Sequence, residues 1–89
     1  MSYSEDFPYS LTKHAEERIA ERGINLEWVK QVLSNPEQID PDKEDPEVLH
    51  ALGVVPEYGG RVIRVMYNQT VTPWRIVSVH FDRKLKGEL

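Results

Sequence analysis

Two basic residues, Arg64 and His80, lie in segments 61–67 (RVIRVMY) and 74–81 (WRIVSVHF), whose patterns are typical of β-strands. Alternation along a strand places both side chains on the less apolar face of a sheet. A histidine there can act as a general acid or base near neutral pH, and an arginine can bind phosphate oxygens. Together they predict a catalytic pair for metal-independent cleavage of RNA. The alternative interpretation is an ordinary two-sided sheet that exposes a histidine and an arginine.

A second group of polar residues lies on the predicted first helix. At about 100° per residue, His14, Arg18 and Arg22 form one ridge that interleaves with the apolar stripe of the helix. Such residues are expected to face either a groove or carboxylates. We therefore predict that they bind the substrate or support the site. Alternatively, their stems cover the edge of the core and their charged ends pair with acidic residues.

Three further residues are candidates for substrate binding or support of the site. Asp82 and Arg83 follow the last strand, and Tyr67 could stack on a base. Aromatic packing within the hairpin is the other interpretation of Tyr67. The sequence has no cysteine, and its three histidines lack the spacing of a metal site, so no metal and no cofactor is predicted.

Local patterns predict the elements that carry these residues. Thr12 and Asn25 are predicted N-caps of two helices, and Gly23 and the Asn35-Pro36 pair are predicted to end them. Strand patterns then follow. The simplest assembly packs the helices on Ile63, Val65, Val77, Val79 and Phe81 and turns Trp74, Ile76, Ser78 and His80 away. We therefore expect an α+β fold of two N-terminal helices on an antiparallel sheet of three to four strands.

The composition bounds the class of protein. Eighty-nine residues make one domain, which we place at 11–86 after an irregular lead-in at 1–10. Residues 37–57 carry seven acidic residues and one lysine, whereas residues 58–89 carry six basic and two acidic residues. The basic half could attract phosphates, although both segments could equally be solvated surfaces. The sequence has no cysteine, no apolar run at its N-terminus and no stretch long enough to span a membrane. We therefore expect a cytoplasmic location and no membrane partner.

Several segments carry a resemblance to a known family. The run from Thr12 to Ile24 contains a pattern that opens with His-Ala at 14–15, continues with Arg18 and ends in Arg-Gly-Ile at 22–24. It resembles a family of small bacterial domains of unknown function, numbered 4258. The match continues through 35–37, 60–67 and 75–79. The resemblance covers most of the chain, roughly from residue 11 to residue 84. That family looks like a branch of the RelE/ParE toxin superfamily, close to BrnT-type toxins.

The resemblance implies a curved antiparallel sheet with two N-terminal helices, and a toxin that cleaves mRNA, on the ribosome or free, under control of an antitoxin. Its motifs coincide with His14, Arg18, Arg22 and Arg64. His80, Asp82 and Arg83 are nominated by the residue pattern alone. Two other functions remain open: a non-catalytic protein-interaction module with the same fold, and a ParE-like toxin directed at DNA gyrase.

Overall fold

A computed structural model describes residues 8–89 of the chain, and it has the expected α+β architecture with two helices. Its elements are β1 (Ser10–Leu11), α1 (Lys13–Arg22), α2 (Leu26–Ser34), β2 (Gln38–Pro41), β3 (Val48–Val55), β4 (Arg61–Asn68) and β5 (Arg75–Phe81), with short 3₁₀ helices at Pro56–Tyr58 and Arg83–Leu85.

The predicted ends of both helices are confirmed. The Thr12 side chain accepts a hydrogen bond from the Ala15 N–H, as the N-cap of α1. Gly23 follows α1 in the left-handed conformation, with φ of 63°, which glycine adopts without steric cost. Asn25 then accepts a hydrogen bond from the Glu27 N–H and caps α2. Residues 23–25 therefore form the whole connection between α1 and α2.

The sheet has five strands in the order β1-β5-β4-β3-β2, and it is mixed. The expected number of three to four strands was too low, because β1 adds a fifth strand to the sheet. The expected antiparallel arrangement is also incomplete, because β1 pairs with β5 in parallel. Ser10, which we assigned to an irregular lead-in, belongs to β1, and residues 1–7 of that lead-in lie outside the described residues. The Ser10 N–H donates to the Trp74 carbonyl at 2.9 Å, and the Thr12 N–H donates to the Ile76 carbonyl at 3.0 Å. These long-range bonds, rather than local propensity, create the strand.

A β-bulge in β5 changes which of its side chains enter the core. Met66 pairs with Ser78 but Tyr67 pairs with Ile76, so that Val77 has no partner on β4. Ile76 is therefore fully buried in the core beneath the helices, with Trp74 packed against it. The prediction that Val77 lies in the core and that Trp74 and Ile76 point away was wrong, because strict alternation fails at a bulge. Beyond it, Val79 is in the core as predicted.

Gly53 of β3 lies against Val32 of α2, at the packing contact between this helix and the sheet. A Cβ atom at this position would lie 2.8 Å from the Val32 Cγ2 atom. We expect Gly53→Ala to lower the free energy of unfolding by about 1–3 kcal/mol, as overpacking of a core does. Chemical denaturation measures this change. Adding Val32→Ala removes the clashing methyl, so the second substitution should cost less in the Gly53→Ala background than in the parent. A Gly53→Ala protein as stable as the parent would contradict this packing.

Candidate functional site

Arg64 and His80 are direct cross-strand neighbours on the sheet face that points away from the helical core. Arg64 of β4 pairs with His80 of β5 and, on its other side, with Leu52 of β3. Residues directly opposite each other on antiparallel strands have Cβ atoms about 4.5–5.5 Å apart. The two candidate catalytic residues are therefore adjacent.

The guanidinium of Arg64 is held on two sides. Its Nε and Nη2 atoms donate to Oδ2 of Asp82 at 3.1 and 2.7 Å. Its Nη1 atom lies 2.8 Å from Nδ1 of His50. Both members of the Arg64–Asp82 pair are largely shielded from solvent, with 19% and 14% of their side chains exposed. The Arg64 hydrogen bond is the main cause that holds the pKa of Asp82 below its usual value.

The hydrogen bonds of His50 fix the tautomer of its ring. Arginine can only donate, so Nδ1 of His50 must accept from Arg64. The ring proton then lies on Nε2, which donates to Oδ1 of Asp42 at 2.7 Å. Asp42, His50, Arg64 and Asp82 thus form one continuous chain of polar contacts, which we call the Arg64 network.

Asp42 joins the Arg64 network to the loop between β2 and β3. Its Oδ2 atom accepts from the backbone N–H groups of Asp45 and Glu44 at 2.9 and 3.1 Å. The Asp45 bond, followed by the His50 side chain, lowers the pKa of Asp42 to about 2. Asp42 is therefore a carboxylate at physiological pH.

His80 is the titratable member of the pair. Burial lowers the pKa of His80 below its ordinary value of 6.5, and the charge of Arg64 lowers it further. The charge of Arg22 acts in the same direction, and the charge of Asp82 opposes it. The His80 imidazole is therefore mostly neutral at neutral pH, which is the form that accepts a proton.

The three ridge residues of α1, His14, Arg18 and Arg22, do not all lie close to Arg64 and His80. Arg22, at the end of α1, is near enough for its charge to affect His80. Arg18 instead forms an ion pair with Glu21 at 2.6 Å, as in the alternative interpretation of this helix, and His14 is exposed. Of the three ridge residues, Arg22 alone is near enough for its charge to act on His80.

The other nominated residues have different positions. Tyr67 belongs to the core on the helical side of the sheet, with 3% exposed, and its ring stacks on Trp74 with centroids 5.3 Å apart. It therefore fits the hairpin-packing interpretation. Arg83 lines a cavity that also borders Asp82. Within residues 8–89, no three histidine and acidic side chains are grouped so as to hold a metal ion.

His50 and Asp42 are the members of the site that the sequence analysis missed. Alternation in the segment VLHALGVV places His50 on the same face as Leu52, which is the cross-strand neighbour of Arg64. The turn between β3 and β4 could have suggested this register. No sequence pattern relates Asp42 to Arg64, because the contact of Asp42 with His50 depends on how the loop between β2 and β3 folds.

Arg64 retains free hydrogen-bonding capacity. Of the five N–H groups of a guanidinium, three donate to Asp82 and His50, so two remain for another ligand. A neutral imidazole therefore lies beside a positioned, partly free guanidinium. This arrangement can remove a proton and bind an anion at the same place.

The described residues include no helix that is long and apolar enough to cross a membrane. Neither the curated proteins nor the solved structures contain a match to this chain. A family model does match it, over residues 11–81, and that family is described as a domain of unknown function, DUF4258. Because the matched region includes both helices and strands β2 to β5, the chain belongs to the DUF4258 family.

Proposed function

We propose that this protein is a RelE-like toxin that cleaves mRNA without a metal ion and acts in the cytoplasm under the control of an antitoxin. The observation that carries the proposal is the cross-strand pairing of Arg64 with His80, whose lowered pKa keeps the ring neutral. Two helices that precede a largely antiparallel sheet are also what the resemblance to RelE/ParE and BrnT-type toxins implies.

In the proposed reaction, neutral His80 takes the proton of an RNA 2′-hydroxyl. The 2′ oxygen attacks the adjacent phosphorus, and the bond from phosphorus to the 5′ oxygen breaks. The leaving oxygen takes a proton from water, and a 2′,3′-cyclic phosphate remains. The two free N–H groups of Arg64 bind the phosphate oxygens and stabilise the extra negative charge of the transition state.

The ion pair with Asp82 serves to orient Arg64 in this mechanism. Because Nε and Nη2 are both bonded to one carboxylate, the plane of the guanidinium is fixed before substrate arrives. The nearby charge of Arg22 adds to the attraction for a phosphate.

Expression of this gene alone in a bacterial host tests the proposal. We expect growth arrest with loss of specific mRNAs, whereas the double variant Arg64→Gln/His80→Gln should permit normal growth. Arg75→Gln is a matched control, because Arg75 is exposed at the start of the same strand as His80. Normal growth and intact RNA with soluble, folded parent protein would contradict the proposal. DNA damage without mRNA loss would point to a gyrase-directed toxin.

A specific observation also favours the second candidate, a non-catalytic interaction module. A cavity of about 330 Å³ opens on the loop side of Arg64. Its charged lining consists of three carboxylates and two permanent cations, namely Asp40, Asp42, Glu44, Lys43 and Arg64. Such a lining suits a basic side chain of a partner protein better than a phosphate. Co-purification with a small basic partner, without RNA cleavage, would favour this function.

A further inference from the structure

A separate cavity lies where the ends of β4 and β5 meet the C-terminal 3₁₀ helix. Its volume is about 230 Å³, and it is lined by Arg61, Val62, Phe81, Asp82, Arg83 and Lys86. It shares Asp82 with the Arg64 network, so the two sites adjoin. The acidic cavity on the other side of Arg64 shares none of these lining residues.

The charge of this cavity is opposite to that of the acidic one. Three cations face a single carboxylate, and Asp82 already accepts hydrogen bonds from Arg64 and from the Lys84 backbone N–H. Within residues 8–89, the side chains of Arg83 and Lys86 form no ion pair and are exposed. Their charges are therefore available to an anionic ligand.

Arg61 is the positioned cation of the group. Its guanidinium carbon lies 4.9 Å from the centre of the Tyr58 ring and 5.6 Å from that of Phe81. These two rings also stack on each other, with centroids 5.3 Å apart. Contact with aromatic faces restricts the guanidinium without using its N–H groups, which stay free to donate.

The remaining surface of the cavity is apolar. Val62 is fully buried beneath it, and Phe81 packs against the core of the sheet. The volume is below the roughly 300–1,000 Å³ of sites that enclose a drug-sized ligand. A cavity with cations around a small apolar surface fits a compact ligand that carries both a phosphate and a planar ring.

We propose that this cavity binds one nucleotide unit, with its phosphate at Arg61, Arg83 and Lys86 and its base or sugar against Phe81. The choice of an RNA strand as the source rests on the proposed function. Val62 and Arg64 are next-but-one residues of one strand, with side chains on the same face roughly 7 Å apart. One nucleotide in the cavity thereby holds the adjacent phosphate of the strand at Arg64 and His80.

Binding of two probes tests this inference, with NMR amide shifts as the readout. The probes are adenosine 5′-monophosphate and a short single-stranded oligonucleotide in which 2′-deoxy sugars prevent cleavage. Both should shift amides of the residues around the cavity. The double variant Arg83→Ala/Lys86→Ala should bind both at least about tenfold more weakly and with a shallower dependence on salt. Arg75→Ala should bind as the parent does.

The outcomes separate this inference from the proposed function. His80→Gln should retain nucleotide binding even though its cleavage is lost. A parent protein that binds both probes at the cavity but cleaves no RNA would refute the nuclease and leave the cavity as a nucleotide site. Unchanged binding in Arg83→Ala/Lys86→Ala, with a native melting curve, would overturn the inference. Binding of the mononucleotide without the oligonucleotide would overturn its assignment to an RNA strand.

Discussion

Replacing His80 with glutamine is expected to lower the rate of RNA cleavage at neutral pH by roughly 10²–10⁴-fold, the usual contribution of a general base. Glutamine keeps a polar side chain on the strand but cannot take a proton from the 2′-hydroxyl. Single-turnover cleavage of a labelled RNA by purified protein measures the loss. A His80→Gln protein with the parent rate would show that His80 is not the base.

The pH profile gives a sharper test of the same role. His80 is active when neutral, so the parent rate should fall as the pH drops through the pKa of His80, which burial and then Arg64 hold below 6.5. Arg64→Gln removes a cation whose charge lowers this pKa. The acidic limb of the residual activity should therefore move to higher pH.

Substitutions of the other charged groups around His80 serve as controls for that pH profile. Arg22 also lowers the pKa of His80, whereas Asp82 raises it. Arg22→Gln should thus shift the limb in the same direction as Arg64→Gln, and Asp82→Asn should shift it the opposite way. Arg75→Gln should leave both the limb and the rate unchanged. A limb that stays in place in Arg64→Gln would contradict the coupling between the two residues.

Removal of Arg64 is expected to have the largest effect on stability after core substitutions. Arg64→Met leaves the shielded Asp82 carboxylate without its two charged hydrogen bonds, and it leaves Nδ1 of His50 without a donor. We expect the free energy of unfolding to fall by about 2–4 kcal/mol at neutral pH. Denaturant titration measures this change. Stability within experimental error of the parent would show that the network contributes nothing to folding.

The acid dependence of stability identifies the residue responsible. The folded-state pKa of Asp82 lies below 3.8, so its stabilising contribution is fully present above pH 3.8 and is lost as the pH falls through the folded value. Without Arg64, this dependence on pH should weaken. The pKa of Asp42 is lowered to about 2, chiefly by the Asp45 backbone. The stability of the variant should therefore still fall as the pH drops from 3.8 to 2, because Asp42 becomes protonated there.

Arg18→Met is the matched control for that stability measurement. Arg18 also forms a short ion pair, with Glu21 at 2.6 Å, but 32% and 56% of the two side chains are exposed. Exposed pairs three residues apart on a helix contribute little, so the change should be within about 0.5 kcal/mol. An equal loss in both variants would mean that shielding by the sheet does not strengthen the Arg64–Asp82 pair.

Part of the candidate site followed from sequence because it depends on local periodicity. Alternation in β4 and in the second half of β5 placed Arg64 and His80 on the same face, and the observed register pairs them directly. The ridge on α1 was less informative. A helical wheel gives the direction of a side chain around the helix but not what faces it, so it could not separate Arg22 from the paired Arg18.

Local residue patterns were enough to predict both helices and the strand segments 61–67 and 74–81. Thr12, Gly23 and Asn25 act through hydrogen bonds or dihedral angles within a few residues, so their types alone predicted where the helices begin and end. The same holds for β4 and β5, whose β-branched and aromatic residues match a pleated, half-buried surface.

Contacts between distant segments are responsible for β1, for the bulge at Val77 and for the composition of the Arg64 network. Strand β1 depends on hydrogen bonds to residues more than sixty positions away, and the bulge turns Ile76 into the core. The network joins residues 42, 50, 64 and 82, whose meeting requires three strand registers and a folded loop at once. Contacts of this kind depend on the relative positions of distant segments, which no local pattern of residue types specifies.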